Sequence, residues 1–83
     1  MENKTINFST SDIKVASFIL SKSVSLIGTE RPQKRKVVFL FERTPELLQL
    51  ISDYLTNKAL VNPRLLFESF DNLKRIIFKE IEY

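Results

Sequence analysis

The 83-residue chain contains no cysteine and no histidine. Without cysteine there is no disulfide, no thiol redox chemistry and no thiolate metal site, which fits a cytoplasmic home. Without histidine the commonest general base and a leading metal ligand are missing. A single glycine, Gly28, cannot build a phosphate-cradling glycine-rich loop. No apolar run approaches the roughly 18 residues of a membrane span. The start, MENKTINFST, carries Glu2 and no apolar leader segment, so an intracellular, soluble protein without a membrane partner is expected.

These absences speak against an enzyme. No catalytic residue, metal or cofactor is expected, and no small-molecule ligand is evident. Paired carboxylates are the chemistry left over. Glu68 and Asp71 stand three apart on a predicted helix, where that spacing beside Lys74 and Arg75 reads as a solvated face. A carboxylate enzyme working through Glu42, Glu46, Glu68 or Asp71 would need a deep pocket that so small a domain is not expected to form.

What is present is an ordinary globular composition, 43% apolar and 28% charged with the signs mixed. Residues 1–83 are expected to form one small α+β domain that buries roughly 60% of its unfolded surface. KTINF, residues 4–8, alternates polar and apolar with Ile6 and Phe8 on one side, a short strand signal. STSDIKVASFILSK predicts a helix from about Thr10 to Lys22, with Ile13, Ala16 and Leu20 at helical spacing. Ser9 with Asp12 resembles a capping box, and Thr10 or Ser11 can cap instead.

SVSLIGT reads as an edge strand ending at Gly28, and TERPQKR as a turn broken by Pro32, longer than the tightest hairpins. KVVFLFE is apolar on both faces, with Val37, Phe39 and Phe41 one way and Val38 and Leu40 the other, so a strand covered on both sides is expected. TPELLQLISDYL opens a helix with Thr44 as cap and Pro45 at its first position, with a stripe of Leu47, Leu48, Ile51, Tyr54 and Leu55. Asn62 and Pro63 repeat that start for a last helix to about Glu80, with Leu66, Phe67, Phe70, Leu73, Ile77 and Ile81 along one face.

The order is β-α-β-β-α-α. A two-stranded hairpin is marginal alone, so the first strand is needed as a third. The doubly apolar strand belongs in the middle, which makes a three-stranded sheet of order 1-3-2, packed with three helices. Its outer strands run parallel, joined by a right-handed split crossover.

The functional signal is one of charge. Net charge is +3, from 13 Lys and Arg against 10 Asp and Glu. Setting aside Arg31, Lys34, Arg35 and Lys36 leaves the rest of the chain close to neutral. Four cations at a hairpin turn suit nucleic-acid phosphates, of duplex DNA or RNA, and Lys22 and Arg43 at flanking strand ends can add to them. No aromatic residue lies between Gly28 and Lys36, so phosphate or shape recognition is expected rather than base stacking. The competing reading is a solubilising cap: exposed Lys and Arg beside VVFLF guard a sheet edge against aggregation. An acidic protein would suit the same cations.

A second expectation is assembly. Val38 and Leu40 on the second sheet face, with Leu65, Ile76 and Phe78 off the main stripe of the last helix, exceed what a three-helix cover needs. A homodimer would bury them.

The segments TSDIKVASFIL, KVVFLFE, TPELLQLISDYL and NPRLLFESFDNLKR resemble a small domain-of-unknown-function family of bacterial, phage and candidate-phylum genomes. The resemblance covers nearly the whole chain and rests on Thr10, Ser11, Asp12, Ala16, Leu20, Phe39, Phe41 and Tyr54. It implies a single domain and a phage or mobile-element setting. It brings no catalytic or binding residue, because the family has no assigned activity.

Overall fold

Five consecutive apolar residues, Val37 to Phe41, form the middle of the fold. In the computed structural model, which describes residues 7–82, they lie in the strand β3 (Lys36–Glu42). The full order is β1 (Asn7–Thr10), α1 (Ile13–Ser21), β2 (Leu26–Gln33), β3, α2 (Pro45–Leu55) and α3 (Pro63–Glu82). The sheet has the order β1-β3-β2, antiparallel at both junctions, so the α+β architecture is the expected one. Ile6 lies outside the described residues, as does the side chain of Ile81.

The two faces of β3 differ. Phe39 and Phe41 are fully buried and Val37 nearly so, within a core that Ala16, Phe18, Ile19, Leu47 and Leu73 bring from the helices. Each buried phenyl ring contributes about 1.5–3 kcal/mol. On this face Phe8 and Leu26 lie opposite Phe41, and Thr10 and Thr29 opposite Phe39.

Val38 and Leu40 are only half-buried, which corrects the expectation of a strand covered on both sides. Their neighbours explain it. Ser9 and Gly28 face Leu40, Glu30 faces Val38, and Asn7 faces Glu42, so small and polar residues ring two apolar ones. That is the pattern of a sheet with helices on one side only, and the shortest dimension of the domain is 19 Å.

β2 begins three residues later and ends five residues later than its sequence suggests, at Leu26 and Gln33 instead of Ser23 and Gly28. It runs to Gln33 and passes through Pro32, and the turn predicted over residues 29–35 shrinks to Lys34 and Arg35. Leu26 faces Phe41 while Gly28 faces Leu40, and Glu30 faces Val38 while Gln33 faces Lys36. Each step leaves one extra residue on β2, a bulge. Pro32 fits because β2 is an edge strand and the ladder is interrupted beside it.

Helix boundaries follow the caps. Asp12 begins α1, its Oδ1 accepting from the Lys14 N–H at 2.9 Å, and Thr10 Oγ1 accepts from the Asp12 N–H at 3.0 Å. Ser9, the first cap candidate, is instead paired in β1 opposite Leu40. Ser17 is buried inside α1 and donates its hydroxyl to the Ile13 carbonyl at 2.6 Å. Thr44 caps α2 by accepting from the Leu47 N–H at 3.1 Å, and Asn62 Oδ1 accepts from the N–H groups of Arg64 and Leu65 at the start of α3.

α2 ends on Asn57 at φ 63, with Lys58 N–H donating to the Asp53 carbonyl and Asn57 N–H to that of Tyr54. This is the paired-bond Schellman closure, made without glycine. α1 ends comparably, with Ser23 at φ 70.

The inward stripes are narrower than the apolar stripes. On α2, Leu47 is buried and Leu50, Ile51 and Tyr54 pack against the core, whereas Leu48 and Leu55 are exposed. On α3, Leu73 and Ser69 are buried and Leu66, Phe70, Ile76 and Ile77 are partly so, whereas Phe67 is 65% exposed. Phe67 was expected inside and Ile76 outside. The 20-residue α3 turns its Leu73–Ile76–Ile77 side toward α1, which sets both.

Candidate nucleic-acid interface

The hairpin tip is built by three local choices. Pro32 and the bulge around it twist β2 where it leaves the helical layer. Gln33 closes on Lys36, so that Lys34 and Arg35 make a two-residue turn. Among the described residues only Ser23 and Asn57 combine a side chain with positive φ, so Lys34 and Arg35 turn the chain at negative φ and long basic side chains fit there.

Arg31, Lys34, Arg35 and Lys36 are all exposed at this end of the sheet. Among the described residues, Lys34, Arg35 and Lys36 form no ion pair. The strand length from Gln33 back to Arg31 adds two residues to the turn, so the four charges fall within about 10 Å along the ribbon. One strand of a duplex presents about three phosphates over that axial length.

Lys22 and Arg43 are elsewhere. Lys22 caps α1 just before the Leu26 end of β2, and Leu26 pairs with Phe41; Arg43 follows Glu42 at that same end. Seven residues of chain from Lys36 place Arg43 about 23 Å from the tip. Lys22 lies over the Phe18 ring, its Nζ 5.9 Å from the centroid. The expected six-residue interface therefore divides into a cluster of four and a separate pair.

The expected assembly residues also divide. Leu65 is 47% and Phe78 69% exposed on α3, while Val38 and Leu40 are half-buried on the sheet face and Ile76 is half-buried against the core. The carboxylates are solvated: Glu68 pairs with Arg64 at 3.8 Å, both side chains well exposed, and not with Lys74 or Arg75. Arg75 instead donates to Asn72 Oδ1 at 2.6 Å, and Lys74 lies 5.4 Å from the Phe70 ring centroid.

A cavity of about 600 Å³ opens where the start of α1, the end of α2, the connector after it and the start of α3 meet. Its walls include Phe18, Tyr54, Ala59, Val61, Leu66 and Phe70, with Lys14 at its edge. The rings of Phe18 and Tyr54 pack at 5.3 Å, tilted by 38°. The available signal was the short apolar connector Ala59–Leu60–Val61 next to three aromatic residues, a combination also consistent with filled core.

No curated protein and no solved structure gives a significant match to the chain. No helix among the described residues is long and apolar enough to cross a membrane. A family model matches residues 5–79, nearly the whole sequence, and the chain belongs to that family, described as domain of unknown function DUF5659.

Proposed function

We propose that the chain is a non-enzymatic, cytoplasmic binding module that contacts nucleic-acid phosphates through the tip of its β2–β3 hairpin. The observation that carries this reading is the tight turn. It gathers Arg31, Lys34, Arg35 and Lys36 at one exposed end of a two-stranded ribbon. A two-stranded ribbon fits a major groove, and lysine and arginine meeting phosphates release condensed counterions, giving affinity with little base selectivity. Lys22 and Arg43, at the opposite end, are left out of this contact.

Replacing Arg31, Lys34, Arg35 and Lys36 together with Ser tests it. Binding to a 20-base-pair duplex and to a hairpin RNA at 50 mM salt should fall at least tenfold, and unchanged affinity for both would reject the reading.

A second reading, self-assembly, draws on the outward side of α3. Phe67 and Phe78 are both largely exposed and stand three turns apart on one line of the helix, about 16 Å along its axis. An aromatic pair of that kind suits a homodimer. Phe78→Asp should then shift the sedimentation coefficient to that of a monomer at every salt concentration.

A further inference from the structure

The cavity between α1, α2 and α3 is separate from the hairpin and is not needed by the proposed phosphate contact. Its volume, about 600 Å³, lies within the range of small-ligand sites. Its walls come from three helices whose starts and ends are fixed by Asp12, Asn57 and Asn62.

Four polar side chains line the cavity, Lys14, Ser17, Tyr54 and Asn57, and of these Lys14 alone carries a charge to select the ligand's head group. Ser17 commits its hydroxyl proton to the Ile13 carbonyl. Lys14 is the one charged group among the lining residues, no carboxylate joins it there, and among the described residues its ammonium forms no ion pair. An apolar body with a cationic head would meet Lys14 at close range with nothing to neutralise it. An apolar body with an anionic head would place its charge against Lys14 and its carbon chain between Phe18, Tyr54 and Leu66. We infer that this cavity binds a small amphipathic carboxylate, an acyl or aryl-alkyl acid, with Lys14 as the partner of its carboxylate.

The volume and the short reach of the walls, set by the ends of three helices, argue for a small molecule over a partner helix, which needs a groove several turns long. Dependence on chain length follows from the apolar walls. Each methylene that enters should tighten binding about threefold to fourfold, until the chain outgrows the space.

The test is a methyl-resolved NMR titration of the full chain with hexanoate, heptanoate and octanoate below their micelle concentrations, beside 1-octanol and octylammonium. The expected result is a shift of the Ala59, Val61 and Leu66 methyl signals, affinity rising about threefold to fourfold per methylene, and octanoate bound more tightly than octanol and octylammonium. Lys14→Met, at an exposed position that should leave folding intact, should equalise octanoate and octanol. Ala59→Phe should fill the cavity and abolish both, with the urea midpoint measured to confirm that the variant is folded. The inference is overturned by an absence of shifts at these methyls with every acid, or by equal affinity for the three octyl compounds in the unaltered chain. It is equally overturned by a self-association that Ala59→Phe abolishes, which would make a second copy the occupant.

Discussion

Gln33 lies directly opposite Lys36 at the end of the β2–β3 ladder, which leaves Lys34 and Arg35 alone to reverse the chain. This pairing converts a basic stretch of sequence into a basic point on a surface. A longer loop would let the same charges spread.

Two-residue hairpin turns favour positive φ, because the primed turn types match the twist of the strands. Lys34 and Arg35 have no positive φ, and a bulge in β2 immediately precedes them. Lys34→Asn with Arg35→Gly should therefore gain nothing from that preference and should lower the thermal midpoint by about 2–8 °C, because glycine at a negative φ only adds freedom to the unfolded chain, while removing half of the charge cluster. Thermal melts by circular dichroism check this, and a midpoint that rises would show that the turn relaxes to a primed type once asparagine and glycine allow it.

Gly28 occupies a strand position opposite Leu40, and a Cβ there would meet nothing within 4 Å. Glycine in a strand interior costs about 0.5–1 kcal/mol and covers none of its neighbours. Gly28→Val should raise the midpoint by about 2–8 °C for a domain of this size. If the open sheet face instead packs against another chain at this small residue, the substitution would weaken that association, and sedimentation would report it.

Ser23 ends α1 in the left-handed region at φ 70, which is unfavourable for a residue with a Cβ. Ser23→Gly should stabilise by about 0.5 kcal/mol once the added freedom of the unfolded chain is set against the relief. Asn57→Gly should gain less, because asparagine tolerates that conformation better. Urea denaturation of both variants checks the order.

Phe39 is fully buried on the central strand, and its removal opens a cavity in the one face of the sheet that carries the core. Phe39→Ala should cost about 3–5 kcal/mol. Against a total stability of about 4–12 kcal/mol for a chain of this length, such a loss removes between about a quarter and all of it. Thr44→Ala, which removes a single cap bond, should cost only about 1 kcal/mol. Urea denaturation of the two variants measures the contrast.

Much of the fold is legible in the residues because local and tertiary signals agree. Thr44–Pro45 and Asn62–Pro63 start helices where caps followed by proline say they should, and the run Val37–Phe41 selects the centre of the sheet. The extent of β2 is not legible. Proline reads as a strand breaker, and its tolerance at an edge bulge depends on which strand becomes the edge. Helix faces are misread wherever the apolar stripe is wider than the contact it makes, as at Leu48, Leu55 and Phe67. The hairpin cluster could be read from four neighbouring cations. The cavity could not, because it depends on how three helix ends diverge, and no spacing within one helix encodes that.

Salt dependence tests the phosphate contact at the hairpin most directly. Four phosphate contacts on duplex DNA give a slope of about −3.6 in the logarithm of affinity against the logarithm of salt concentration. Lys34→Ser with Arg35→Ser, which asks for no change of backbone conformation, should reduce it to about −1.8. Equal slopes for the two proteins, or an affinity that does not change with salt, would contradict phosphate binding at the β2–β3 tip.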